Sequence, residues 1–502
     1  MSDSAKPYPV LVVGAGIMGG GIAQVAAQAG HPVQLFDAQD GAAGAAISRL
    51  EASLEKLVSR GKFGADEAAA ILARVEPVVS LDAAAGAGLV IEAIVEDLGI
   101  KRELLQRLED IVAADCLLAT NTSSLSVTAL ANGLQHPERL VGMHFFNPVP
   151  LMKLVEVISG LHTARTAAES VHALAASWGK VPVYARSSPG FIVNRIARPF
   201  YAETLALLQE QATTPAVLDR CLRAAGFRMG PCELMDLIGH DTNLAVTRSV
   251  YEANFYDKRY TPSPLQQGLV DGGLLGRKSG RGFFDYPAAA EPEPEPGMAP
   301  NPRLPSTTDN LAVRGQGPVA ERIAAALRRH DCRFERIADS KWIGLQADGA
   351  RLRLTDGRSA GELGRDVAVF DLPLCSGQDF ALAWSHSARA SPQWIEDARN
   401  WLELIGFAPQ QIADVPGLVV ARTIAMLINE AADAVHQGVC DEAGADAAMK
   451  LGVNYPAGPF EWLADWDARA VINLLDRLDE YYRGERYRVS PWLLQRTWQE
   501  TR

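Results

Sequence analysis

Residues 10–37 read VLVVGAGIMGGGIAQVAAQAGHPVQLFD: a short apolar strand, a Gly14-x-Gly16-x-x-Gly19 turn, a small-residue helix and a second strand ending on Asp37. Each part has a task in a dinucleotide pocket. Gly14 permits the tight turn, Gly16 lets backbone approach a pyrophosphate, Gly19 lets the helix pack on the strand, and the helix N-terminus faces negative charge. A glycine triplet alone is a weak signal, but one set between two apolar strands with an acid about twenty residues on is specific. Asp37 would hold ribose hydroxyls and repel a 2′-phosphate, and no arginine adjoins it in the sequence. The cofactor therefore reads as NAD rather than NADP.

Outward from this motif, 502 residues with 48% apolar content exceed what one core organises, so several domains are expected. A formal charge of −12 argues against nucleic acid or a membrane surface as partner. The six cysteines form no CxxC pair and no metal-ligand spacing, which suits free thiols in a reducing compartment and no metal. No stretch reaches the length of a membrane span, and MSDSAKPYPV carries no leader pattern, so a soluble cytoplasmic protein is expected.

The expected fold class is α/β. Apolar runs VLVV, VQLF, LVIEAIV, LLATN, LVGMHFF and LVEVI alternate with helical ones over 1–187, the mark of a Rossmann-type doubly wound sheet. Residues 43–74, with apolar positions at helical spacing, read as a helix pair projecting from that sheet. An all-helical domain is expected over 188–286, a proline-rich acidic linker over 287–310, a degenerate Rossmann-like domain over 311–411 and a second helical domain over 412–502.

The second helical domain is a repeat of the first. Pro189-Gly190-Phe191-Ile192-Val193-Asn194-Arg195 aligns with Pro416-Gly417-Leu418-Val419-Val420-Ala421-Arg422 at an offset of 227, and Glu203 falls on Glu430. One residue later in register, Gly230-Pro231-x-Glu233 falls on Gly458-Pro459-x-Glu461. Such self-similarity implies duplication. Asn194 has become Ala421 in the second copy. Gly315-x-Gly317-x-x-Ala320 formally repeats the nucleotide turn, but nothing downstream of it resembles NTSS or HFFNP. A decayed duplicate retained for packing is expected there.

Chemistry must come from polar residues beyond the strands. In ATNTSSLS, residues 119–126, Asn121, Ser123 and Ser124 follow an apolar strand, where open α/β sheets place their ligands. A capped strand-to-helix loop accounts for the same residues. In VGMHFFNPVPLMKLVEVI, residues 141–158, His144 sits among large apolar groups and Glu156 interrupts a buried-strand run. A carboxylate there is costly unless paired, and His144, across the NPVP turn, is its natural partner. The pair suits a general base near neutral pH, and a purely structural ion pair is the alternative.

GAGIMGGGIAQVAA, VIEAIVEDLGIKRELL, NTSSLSVTALA, GMHFFNPVPLMKLVEVISG, SPGFIVNR, MGPCELMDLIG and LLGRKSGRGFFDY together resemble the (3S)-3-hydroxyacyl-CoA dehydrogenase family throughout the first 286 residues. The layout of 287–502 resembles that family's longer bacterial form. The resemblance implies NAD-dependent oxidation of a (3S)-3-hydroxyacyl-CoA to its 3-oxo form, the acyl-CoA being 3-hydroxyadipyl-CoA or 3-hydroxybutyryl-CoA. It makes His144 the base, Glu156 its orienting acid, and Ser123 and Asn194 donors to the reacting oxygen. It places cofactor contacts on Asp37, Glu96, Lys101, Asn121 and Asn147. It places coenzyme A contacts on Ser53 and on Arg60 or Lys62, while a second basic cluster, Arg277, Lys278 and Arg281, reads as structural. Short members pair through their helical domains, so an internal pseudo-dimer is expected here, with a homo-oligomer also open. Competing readings are an NAD-responsive binding protein, a structural protein built on a retired dehydrogenase, and a dehydrogenase of free β-hydroxyacids. The last would present a catalytic lysine in place of the His–Glu pair.

Overall fold

The computed structural model describes residues 7–286, 305, 310–374 and 380–500. Most of the expected linker, 287–304 and 306–309, lies outside the described residues, as does Cys375. Contacts group the chain into two compact units, Met1–Arg195 with Gln437–Val453, and Ile196–His436 with Asn454–Arg502.

The first unit contains β1 (Val10–Val13), α1 (Ile17–Gln28), β2 (Val33–Phe36), α2 (Ala42–Ser59), α3 (Ala65–Leu72), β3 (Val75–Val78), β4 (Leu89–Glu92), α4 (Leu98–Glu109), β5 (Leu117–Thr120), α5 (Val127–Ala131), β6 (Leu140–Phe145), β7 (Leu154–Ser159), α6 (Arg165–Ser177) and β8 (Val181–Arg186). They build one eight-stranded sheet in the order β3-β2-β1-β4-β5-β6-β7-β8. Only β7 against β6 is antiparallel. The strands β1 and β4 are buried at every position, as a parallel sheet covered on both faces requires.

Two strands escape the sequence reading. The run VEPV of β3 and the run VPVYAR of β8 each carry a proline and are partly exposed edge strands, so neither shows a continuous apolar run. The inserted helices do not simply project. Ala43, Ala46, Leu50 and Leu54 on α2, with Ile71 on α3, belong to the same buried core as β1. Their three-and-four spacing makes one face of α2 apolar, and burying it fixes α2 beside α1.

One further element joins this unit. The helix Glu442–Gly452, assigned by sequence to the second helical domain, packs on β7 and β8. Its buried face, including Ala445, Ala448 and Met449, is spaced for a single apolar stripe that needs a sheet to cover it.

The second unit holds a mixed sheet of β9 (Leu311–Arg314), β10 (Phe334–Ile337), β11 (Gly344–Ala347), β12 (Ala350–Leu354), β13 (Val367–Phe370), β14 (Phe380–His386) and β15 (Phe407–Gln411), in the order β10-β9-β11-β12-β13-β14-β15. Its Gly315-x-Gly317-x-x-Ala320 turn differs from the Gly14 turn in identifiable ways. Gly14 donates its N–H to Phe36 O at 2.8 Å, and Gly315 donates likewise to Ile337 O at 3.0 Å. The residue after Phe36 is Asp37, whereas the one after Ile337 is Ala338. Pro318 opens the following helix and removes one N–H that an anion would need.

The helical repeats within this unit are stitched together reciprocally. Glu203, on the helix Arg198–Gln209, accepts from Arg486 (2.8 Å) and Tyr487 (3.0 Å), and pairs with Arg422 at 2.6 Å. Glu430, on the helix Val420–His436, accepts from Tyr260 (2.6 Å) and Arg259 (3.3 Å). At the 227 offset Arg259-Tyr260 is Arg486-Tyr487, so each copy's buried glutamate takes the other copy's Arg–Tyr pair. Burial alone would raise the Glu203 carboxyl, and the Arg486 and Arg422 guanidiniums hold it below its ordinary range. Removing one partner of such a buried set costs about 3–5 kcal/mol, because a charge is left uncompensated.

Candidate active site

Parallel pairing places the carboxyl ends of β1, β4, β5 and β6 along one edge, and the candidate residues gather there. At the glycine turn the three positions differ in their reason. A Cβ on Gly19 would stand 1.7 Å from Gly14 O, and one on Gly14 would stand 2.5 Å from Ala93 O, so packing demands both glycines. A Cβ on Gly16 meets nothing within 4 Å, and its φ of −67° is open to any residue. The space beside Gly16 is thus free for a ligand, which fits a pyrophosphate approaching the N-terminus of α1.

Asp37 accepts from Ala15 N at 2.7 Å and Gln39 N at 2.9 Å. Sequence reasoning missed Arg49. It stands on α2, two turns into a helix whose start is not legible from the glycine motif, and donates to Ala15 O at 3.1 Å. An arginine therefore reaches the backbone of the turn that Asp37 holds, although none adjoins Asp37 in the sequence.

The loop after β5 is organised by Glu96. Its Oε1 accepts from Thr122 Oγ1 (2.7 Å), Ser123 N (2.9 Å), Ser124 N (3.1 Å), Ser124 Oγ (3.0 Å) and Ser123 Oγ (3.3 Å). Burial would raise this carboxyl, and these bonds with the nearby Lys101 ammonium hold it below its ordinary range. Lys101 itself is wholly buried, bonded to both oxygens of Glu92 at 3.0 and 2.8 Å and to Ile94 O at 3.4 Å, and ion-paired with Glu96 at 3.4 Å. The Lys101 donors face these acceptors, and Lys101 reaches the loop after β5 through Glu96. Asn121 accepts from Phe145 N at 2.9 Å, tying the ends of β5 and β6, while Asn147 is exposed.

His144 and Glu156 are directly opposed on β6 and β7. Opposed residues of an antiparallel pair share a face with Cβ atoms about 5 Å apart, and here Nδ1 lies 2.5 Å from Glu156 Oε2 with both residues buried. A carboxylate has only acceptors to offer, so Nδ1 carries a proton, and in the neutral ring Nε2 is the nitrogen with the lone pair. The second oxygen of Glu156 accepts from Ile192 N at 2.9 Å and Val193 N at 3.0 Å. Those N–H groups precede Asn194, whose Nδ2 donates to Ser123 O at 3.4 Å. One chain of contacts thus joins His144, Glu156, Asn194, Ser123 and Glu96. No direct bond joins Ser123 to His144 among the described residues.

The second sheet carries other residues at the corresponding positions. The 227 offset carries His144 onto Asp371 and Glu156 onto Ala383. Asp371 accepts directly from Val419, Val420 and Ala421 N at 2.9, 2.7 and 2.9 Å, so the loop is still capped but the imidazole is gone. A second buried pair, His240–Asp236 at 2.8 Å, lies in the other unit, where Asp236 also accepts from Phe283 N, Phe284 N and Tyr286 OH. Arg277, Lys278 and Arg281 pair with Glu233, Asp241 and Asp285. Ser53, Arg60 and Lys62 are exposed on and just after α2.

An intact glycine turn, with a buried imidazole–carboxylate pair on the same sheet edge, defines an oxidoreductase with an NAD-binding domain. The family profile "3-hydroxyacyl-CoA dehydrogenase, NAD binding domain" matches residues 9–188. The profile of that family's C-terminal domain matches 190–286 and 417–499, and one for a 3-hydroxybutyryl-CoA dehydrogenase reduced Rossmann-fold domain matches 352–416. The chain belongs to the 3-hydroxyacyl-CoA dehydrogenase family. It is 42% identical over 493 residues to a 3-hydroxyadipyl-CoA dehydrogenase of Escherichia coli K12, covering 97% of each chain. It is 41% identical to a 3-hydroxybutyryl-CoA dehydrogenase of Clostridioides difficile, over 55% of this chain and 98% of that one. A crystal structure of 3-hydroxybutyryl-CoA dehydrogenase from Escherichia coli K12 is similar with a TM-score of 0.89 and 40% identity, covering 99% of both chains.

No helix among the described residues is long and apolar enough to cross a membrane.

Proposed function

We propose that this chain oxidises (3S)-3-hydroxyacyl-CoA with His144 as general base, and that its cofactor is NAD. Bound NAD supplies the hydride acceptor for C3 of the substrate. His144 Nε2 takes the 3-hydroxyl proton, and Glu156, already bonded to Nδ1, stabilises the imidazolium that forms. Asn194 and Ser123, held near one another through the Ser123 carbonyl, offer donors to the oxygen as charge develops on it. Asp37 at the end of β2 favours a ribose over a 2′-phosphate. Glu96, Asn121 and Asn147 are the further cofactor contacts, with Lys101 acting behind Glu96. The exposed Ser53, Arg60 and Lys62 would take the coenzyme A phosphates.

The observation that carries this reading is the connected set from His144 through Glu156 to Asn194 and Ser123. A binding protein has no use for a buried imidazole kept in one tautomer. The full-length relative's name favours 3-hydroxyadipyl-CoA as substrate, with 3-hydroxybutyryl-CoA as the shorter competitor. NAD reduction measured across hydroxyacyl-CoAs of different length and terminal charge tests this. Absence of turnover with every acyl-CoA, while NAD still binds, would support a regulatory binder instead. The reciprocal Glu–Arg–Tyr pairs support an internal pseudo-dimer of helical copies, because two-fold interfaces place residue i on j and j on i. A monomeric mass in solution checks that arrangement.

A further inference from the structure

We infer that Gln437–Val453, a piece of the second helical repeat, is a positioning element of the active site. The segment that runs from the end of β8 to Asn194 is anchored at both of its ends by this piece. Arg186 N donates to Val439 O at 2.8 Å, and Arg195 Nη1 donates to Gln437 Oε1 at 2.9 Å. Arg195 is 2% exposed and adjoins Asn194, so its bond to Gln437 is one of the constraints on where Asn194 stands.

The far end of the same piece reaches the neighbours of the other candidate groups. A Cβ on Gly452 would stand 2.7 Å from Leu154 Cδ2, 3.0 Å from Val193 Cγ2 and 3.7 Å from Phe146 Cε1. Leu154 lies two residues before Glu156 on β7, Val193 precedes Asn194, and the Phe146 ring is 4.5 Å from the His144 ring. One glycine thus sits against supports of the base, its acid and the oxygen donor. Burial, with the Asp441 and Glu156 charges, pushes the Cys440 thiol, which lies between these anchors, up to about 12.

The second repeat carries Ala421 where the first has Asn194, and this contact gives it a task. The corresponding bond in the second unit runs from Arg422 to Glu210 at 3.2 Å, so the 227 offset exchanges Gln437 for a glutamate. A glutamate at 437 is therefore compatible with an arginine in this geometry. A 1 Å misplacement of a positioned group costs up to about a hundredfold in rate.

The inference rests on the proposed site, and the full chain tests both together. Gln437→Leu and Gly452→Ala should each lower kcat/KM for a hydroxyacyl-CoA by about tenfold or more, with the KM for NAD unchanged and the far-ultraviolet circular dichroism intact. Gln437→Glu should stay near the parent. His144→Gln, run alongside, should be inactive yet bind NAD. If Gln437→Leu and Gly452→Ala keep parental kcat/KM while His144→Gln is dead, the positioning role is overturned and the base survives. If Gln437→Glu fails as badly as Gln437→Leu, the bond to Arg195 is overturned as its cause. Activity in His144→Gln overturns the proposed site itself. Should Gly452→Ala fail to fold, the two Gln437 variants decide alone.

Discussion

Replacing Glu156 by glutamine separates two tasks that one carboxylate performs. The amide has a single acceptor oxygen and a nitrogen that only donates. If the nitrogen faced Ile192 N and Val193 N, two buried N–H groups would lose their acceptor, at about 1–3 kcal/mol each. The oxygen therefore stays on that loop and the NH2 group turns to His144. Nδ1 must then accept, the proton moves to Nε2, and the nitrogen that should take the substrate proton is already occupied. An imidazole held in the wrong tautomer costs about 10⁴-fold in kcat, roughly 5 kcal/mol of barrier. Stability should change little, whereas Glu156→Ala, which also frees the two N–H groups, should destabilise the fold by about 2–6 kcal/mol. NADH absorbance at saturating hydroxyacyl-CoA and urea unfolding of both variants measure this. A Glu156→Gln enzyme retaining more than about a tenth of parental kcat would refute the tautomer argument.

Gly16→Ala should fold normally and raise the KM for NAD, because its Cβ enters the space left for a pyrophosphate, while Gly19→Ala should fail to accumulate as folded protein; equal NAD affinity in Gly16→Ala counts against the pyrophosphate site. Arg49→Ala should weaken NAD by about 1 kcal/mol or less without changing kcat, since its bond to Ala15 O is partly exposed; a titration of NAD binding checks it, and no change removes Arg49 from the site. Lys180 donates to Val149 O and Met152 O, and burial lowers its pKa to about 8. In the unfolded chain a lysine keeps its proton to about pH 10.4, so between these values the unfolded state binds more protons and stability rises with pH. The unfolding free energy of the parent relative to Lys180→Met should be level below about pH 8 and climb toward pH 10; a level difference throughout contradicts it.

Much of the candidate site's arrangement was legible in the chain because its signals are local. The glycine turn, the acid at Asp37 and the His144–Glu156 spacing across NPVP each lie within about thirty residues, where strand and helix periodicity fix the geometry. The edge strands β3 and β8 were not legible, since proline and half exposure erase their apolar runs. The partners of Lys101 were not legible for a related reason. Its residue type suits a phosphate, and only the fold shows four acceptors already around it.

The amino-acid order by itself determined most of the elements, the repeat and the pairing of His144 with Glu156, because hydrogen-bonded turns and alternating burial are decided by neighbours along the chain. Tertiary structure alone decided which partner each polar group takes. Glu156 caps Ile192 and Val193, Arg49 reaches Ala15, and Gln437 holds Arg195 across more than two hundred residues. Such pairings depend on sheet register and on which helix face is buried, quantities that belong to the packed whole and to no single stretch of sequence.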